Sequence, residues 1–151
     1  MSRKIITISR EFGSGGRSIG KAVAEALQIP YYDKEIIKQV AEQTGFSPDY
    51  IENTGEYAPG KSIFSYLSTI AGQSGIMGGM SAADFLWSIQ RQVVLDLAEK
   101  EPCVIIGRNA DYILKDRDDV LNVFIHGDTP EKIQRITRLY NCLLYTSDAA
   151  D

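Results

Sequence analysis

Near its start the chain runs from an apolar, β-branched stretch, Ile5-Ile6-Thr7-Ile8, through the glycine-rich turn Gly13-Ser14-Gly15-Gly16 and directly into a helical pattern. A strand emptied into a helix through glycines constrains the fold more than any other feature here. Glycines let consecutive backbone N–H groups turn inward into an anion-binding concavity, and a helix N-terminus adds partial positive charge. Arg17 and Ser18 follow where a phosphate clamp and a metal-bound hydroxyl are wanted. The strict spelling G-x-x-x-x-G-K-[ST] is absent, so the same residues also fit a plain glycine-rich turn with a solvated arginine.

Two registers compete for the loop. Gly15 to Lys21 spells G-x-x-x-x-G-K, but Ala22 stands where Ser or Thr should follow. In that register the helix begins only near Lys21. The apolar positions Ile19, Val23 and Leu27, at i, i+4 and i+8, demand a helix from about Gly16 to Leu27 with that stripe turned inward. The second register is preferred: Gly16 ends the loop, Arg17 opens the helix, Ser18 supplies the hydroxyl, and Lys21 faces away.

Further along, strands and helices alternate, which indicates an α/β domain with a largely parallel sheet. Strand one covers about Lys4 to Ser9, and Ile29 to Tyr32 is a short apolar segment. Asp33 can cap a helix reaching about Gln43, and Ser47-Pro48 starts another through Glu52. Asn53 to Met80 is rich in Gly, Ser and Tyr and reads as a connection, with a helix near Ile63 to Ile70. Ser81 to Asp84 resembles a capping box for a helix to about Lys100, whose apolar stripe is Phe85, Ile89 and Val93, with Leu86, Val94 and Leu97 adjoining. Cys103 to Ile106 is continuously apolar, as in a strand buried on both faces. A short helix over Asn109 to Leu114, a strand over Val120 to His126 and a helix from Thr129 to about Tyr140 complete the pattern.

The 151 residues suffice for one domain with a substantial core, and 44% hydrophobic with 24% charged residues is ordinary globular composition. A net charge of −4 offers no bulk basic surface for nucleic acid. No apolar run reaches membrane-spanning length and Met1 to Lys4 is no signal core, so a cytoplasmic, non-membrane protein is expected. Cys103 and Cys142 lack metal-ligand spacing. The stretch from Cys142 to Asp151 continues no pattern and resembles an adapter-encoded tail that ends a truncated gene. The natural protein is then expected to continue differently after about Asn141, with a last strand and helix missing; an ordinary frayed end is the alternative.

Three separated stretches, Thr7 to Arg17, Ile29 to Ile36 and Val104 to Leu114, resemble the cytidylate kinase-like branch of the P-loop nucleoside monophosphate kinases. The resemblance covers most of residues 1–141 and implies a three-layer P-loop NTPase fold, here without its last strand and lid, with an acceptor-binding insertion at about 45–83. It implies ATP with Mg²⁺, and phosphoryl transfer to a nucleoside monophosphate, best CMP or dCMP. The donor phosphates fall to Gly13, Ser14, Gly15, Gly16, Arg17 and Ser18, with Ser18 also the metal ligand. The acceptor falls to Asp33, Arg108 and Asp111, and the catalytic cations are Arg17 and Arg108.

The chain also departs from that pattern. Gly16 stands in the place of the loop lysine, with Arg17 one step on, and Ile106-Gly107 stand where an acid ends the third strand in the family. These departures keep open a nucleotide-binding module without transfer, and a kinase for another small phosphate acceptor. Simpler roles also stand beside the sharp ones. Asp33 also reads as a helix cap, Arg108 as a surface arginine pairing with Asp111 or Asp116, and Asp116 to Asp119 as a solvated turn. His126 reads as structural, and Tyr31, Tyr32 and Tyr112 as core or rim residues.

Overall fold

The computed structural model describes residues 4–54 and 82–140. The helix expected near 63–70, Ser81, Cys142 and the segment 142–151 lie outside them. The chain divides into two compact units, Met1–Tyr32 with Glu101–Asp151, and Asp33–Lys100.

The first unit is built on a four-stranded sheet of β1 (Ile5–Arg10), β2 (Tyr31–Tyr32), β3 (Cys103–Ile106) and β4 (Val120–Ile125), in the order β2-β3-β1-β4. All neighbours are parallel, with Ile5 opposite both Cys103 and Val120, and Tyr31 opposite Val104. Parallel strands need helical crossovers that cover the sheet, which is why Ile5, Ile8 and the whole of β3 are buried. Thr7 is buried too, and its hydroxyl meets Asn122 Oδ1 at 2.6 Å across the β1–β4 ladder. Burial pushes the Cys103 thiol up to about 11, helped by the negative charge of Glu101, so it stays a protonated core group.

Helix α1 spans Gly16–Leu27, the range its periodicity predicts, but the inward face is not the expected one. Ile19 and Leu27 are 44% and 55% exposed, and the buried positions are Gly16, Gly20 and Ala24. The reason is close approach. A Cβ on Gly20 would run into Ile106 Cδ1 and stand 3.1 Å from Ile8 Cδ1, so the smallest residues, rather than the largest, face the sheet. Gln28 closes the helix in the left-handed region, its N–H donating to the carbonyls of Ala24 and Glu25.

The second unit contains α2 (Lys34–Thr44), α3 (Pro48–Thr54) and α4 (Ala82–Lys100). Ser47 caps α3 as expected, accepting the Tyr50 N–H at 3.2 Å. Asp33 precedes α2, yet its carboxylate makes no capping hydrogen bond and its backbone (φ −137°, ψ −85°) is not that of an ordinary cap. On α4 the buried face runs through Ala82, Leu86, Gln90, Val93 and Leu97, with Phe85 and Ile89 only half-buried. The expected stripe is thus rotated toward the residues that adjoined it, and it carries a polar side chain.

After β3 the first unit continues with α5 (Ala110–Ile113) and, after β4, α6 (Thr129–Tyr140). The acidic turn before β4 is not simply solvated. Arg117 grips Asp119 through Nε–Oδ1 and Nη2–Oδ2 contacts of 2.9 Å each, holding that carboxyl below its ordinary range, while the Asp119 carbonyl accepts the N–H groups of Lys4 and Ile5. No helix among the described residues is long and apolar enough to cross a membrane.

Candidate functional site

The loop leaves the carboxyl end of β1, flanked by β3 and β4, the edge where ligands bind in open α/β sheets. Two residues take the left-handed backbone that glycine alone adopts freely, Gly13 at φ +80° and Gly15 at φ +84°. The first turn is tied internally: the Ser14 N–H and hydroxyl both donate to the Glu11 carbonyl, at 3.2 and 2.7 Å. Gly15 then caps α1, its carbonyl accepting the Ile19 N–H at 3.0 Å. The amides of Gly16, Arg17 and Ser18 sit in the first turn of α1, where a helix offers them no acceptor of its own. Ser14, by contrast, has its amide turned to Glu11.

Side chains that sequence reasoning did not single out surround this loop. A methyl group built on Gly15 would stand 3.0 Å from Arg135 Cζ and 3.2 Å from both of its terminal nitrogens, so the guanidinium of α6 lies flat over the loop. No hydrogen bond or ion pair engages Arg135 among the described residues. Lys132, one turn earlier on α6, bonds Glu11 Oε2 at 3.0 Å, and the Gly127 N–H donates to the same oxygen at 3.3 Å. These contacts hold the Glu11 carboxyl below its ordinary value, the lysine hydrogen bond acting most strongly. Ile136 packs on Gly13, where a Cβ would come within 2.7 Å of its Cδ1. The spacing Lys132, Arg135, Ile136 was the available signal, since i, i+3 and i+4 share a helix face. Arg10 closes the set: its Cβ, Cγ and Cδ lie 2.5, 2.9 and 3.2 Å from where a Gly16 Cβ would be.

Of the sequence-predicted residues, Gly13, Ser14, Gly15, Gly16, Arg17 and Ser18 therefore gather in this one loop. Arg17 is half-buried with its Nε fully covered, its carbonyl accepts the Tyr31 hydroxyl at 3.4 Å, and Ser18 is exposed. Lys21 is exposed one turn further along. Arg108 follows Gly107, whose N–H donates to Ile8 O at 2.9 Å, at the same carboxyl edge of the sheet. It is 2% exposed, which excludes a solvated surface arginine. Gly107, Arg108 and Asn109 are three successive residues at φ +60°, +56° and +54°, a left-handed turn that costs roughly 1–2 kcal/mol at each non-glycine position. Strain of that kind persists where surrounding structure over-determines it, and it clusters at functional sites. Asp111 is exposed in the first turn of α5, and Asp33 is a buried member of the other unit. Tyr31 and Tyr32 are half-buried, whereas Tyr112 is exposed with Lys115 Nζ 4.5 Å above its ring. His126 is exposed at the end of β4.

No group of three or more His, Cys, Asp or Glu side chains gathers as a metal cage among the described residues. Two side-chain hydroxyls lie in the loop: that of Ser14, which donates to the Glu11 carbonyl, and that of Ser18, an exposed residue in the first turn of α1.

The chain matches the model of the cytidylate kinase-like family over residues 5–151. Among solved structures it is similar to an uncharacterized protein from Eubacterium ventriosum, at 27% identity and a TM-score of 0.65, covering 97% of this chain and 67% of that one. TT1252 from Thermus thermophilus matches at 12% identity with a TM-score of 0.55, covering 99% and 78%, a likeness of fold. Shikimate kinase from Acinetobacter baumannii, in complex with shikimate, aligns at 16% identity with a TM-score of 0.47, covering 91% and 64%. No curated protein matches the chain in sequence. A strand–loop–helix at the carboxyl edge of a parallel sheet thus coincides with a family match that runs to within a few residues of the whole chain, and the protein belongs to the cytidylate kinase-like family.

Proposed function

We propose that this protein binds ATP through Gly13–Ser18 and transfers its γ-phosphoryl group to a nucleoside monophosphate, CMP or dCMP. One observation carries the reading: the glycine loop opens α1 at the carboxyl end of the central strand, and a guanidinium from α6 lies on it. Phosphoryl transfer asks little covalent chemistry of a protein. It needs in-line positioning and cations that spread the charge of the transferring group.

In this reading the first-turn amides of α1 hold the β-phosphate, with Arg17 beside them. Arg135 lies over the same loop and neutralises donor oxygens. Arg108 receives the acceptor phosphate, and the family resemblance assigns Asp33 and Asp111 to the acceptor as well. A magnesium ion arriving with the nucleotide would supply charge neutralisation there. Ser18, exposed in the first turn of α1 while the Ser14 hydroxyl is engaged by the Glu11 carbonyl, would hold it.

The test is ADP formation that depends on added CMP, followed by a screen of dCMP, UMP, AMP and non-nucleotide phosphate acceptors. CMP-dependent ADP release supports the reading, and release that depends on a different acceptor reassigns the substrate. Tight ATP binding with no acceptor-dependent release favours a nucleotide-binding module instead. The observation behind that second reading is Gly16, whose position has no room for a lysine side chain beside Arg10.

A further inference from the structure

We propose that Arg10 supplies, from the other end of the loop, the cation that a P-loop lysine supplies from the place of Gly16. This inference rests on the ATP-binding reading above and assigns a residue that the loop motif does not contain.

The argument is one of shared volume. Three consecutive carbons of the Arg10 stem lie within 2.5 to 3.2 Å of the position a Gly16 Cβ would take. A lysine at 16 would begin inside that stem, so the two side chains are mutually exclusive. Arg10 is the last residue of β1, held in the ladder opposite Ile125, and the next amide, Glu11 N–H, donates to Ile125 O at 2.9 Å. Its stem therefore starts from a fixed backbone and runs along the first residue of α1. The guanidinium carried on that stem then reaches phosphates seated at the helix start, which is the step the experiment tests. Glycine at 16, which lies in α1 and outside the left-handed region, is thus required by Arg10 rather than by the turn. Guanidinium differs from ammonium in presenting a planar fork, so Arg10 holds two phosphate oxygens where lysine offers a point charge.

The experiment measures binding of ATP, tripolyphosphate and adenosine by calorimetry in four proteins: wild type, Arg10→Ala, Gly16→Lys, and Arg10→Gly combined with Gly16→Lys. Arg10→Ala should weaken ATP and tripolyphosphate by about tenfold or more, the scale of a lost charge-assisted hydrogen bond, and leave adenosine unchanged. Gly16→Lys alone should lose polyphosphate binding by crowding. The double variant, with lysine entering the vacated volume, should recover most of it. Arg10→Ala that binds tripolyphosphate like wild type overturns the proposal, as does a double variant no better than Gly16→Lys. Wild type that binds neither ATP nor tripolyphosphate removes the functional reading itself, and this role with it.

Discussion

At Gly20 the sheet leaves no room for a side chain, because Ile106 and Ile8 already occupy the space a Cβ would enter. Gly20→Ala should therefore destabilise the protein by about 1–3 kcal/mol, the usual cost of overpacking, despite alanine's better helix propensity. Denaturant unfolding monitored by circular dichroism measures this, and a variant as stable as wild type would show that the helix moves off freely. The same residue explains why the α1 face was misjudged from the sequence. Periodicity ranks faces by hydrophobicity, whereas a helix lying very close to a sheet selects for small size, and Gly16, Gly20 and Ala24 recur at the same spacing as Ile19, Val23 and Leu27. Arg17 and Lys21 are separated by that geometry. Arg17→Ala should cost nucleotide binding about 1.5–3 kcal/mol, the scale of a charged hydrogen bond, while Lys21→Ala, exposed one turn beyond the loop, should cost little. Titration with a fluorescent ATP analogue decides it, and a sensitive Lys21 would reverse the register.

Single elements were legible to different degrees. The range Gly16–Leu27 follows from the glycine turn and the periodic run, and β3 from its unbroken apolar sequence between Pro102 and Gly107. The left-handed turn at Arg108 and Asn109 was not legible: asparagine favours that region, but arginine does not, and a run of three such residues has no sequence signature. Nor was the face of α6, because its sequence shows an amphipathic helix but not what it meets. In the folded protein Lys132 of α6 reaches Glu11, tying this helix to the loop before any nucleotide arrives. That contact sets a pH dependence. Glu11 titrates below its ordinary 4.5 when folded, so its stabilising effect is fully present above that value and is lost as pH falls through the lowered folded one. Melting temperatures of wild type and Glu11→Gln should differ at pH 7 and converge in acid, as pH falls through the lowered folded value. A constant difference across that range would mean that the pair adds nothing through charge. Because Glu11 is substantially solvent-exposed, the effect should also shrink in high salt.

Across the whole molecule, an α/β architecture with a parallel sheet was legible from the alternation of strands and helices, and so was the glycine turn that joins β1 to α1. The cations around that loop were not, because Arg135 comes to it from the distant α6 and Arg10 lies at the end of β1, outside the glycine motif. Strand order was likewise hidden, and it has a consequence for solution behaviour. In the described sheet β4 pairs with β1 on one side and is the outermost strand on the other. Leu121 and Phe124 along it are 39% and 62% exposed. An outermost strand with exposed apolar side chains is a template for another strand, and natural edges are often blunted with charge to prevent it. The sequence Val120-Leu121-Asn122-Val123-Phe124-Ile125 carries no charged residue at all. The purified 151-residue protein should therefore self-associate as concentration rises, through β4 of two copies. Phe124→Lys should suppress the association, placing a charge on an already exposed position at little cost to the fold. Sedimentation velocity over a concentration series measures both. A wild-type protein that stays monomeric throughout, or a Phe124→Lys variant that associates equally well, would show that this edge is not the contact.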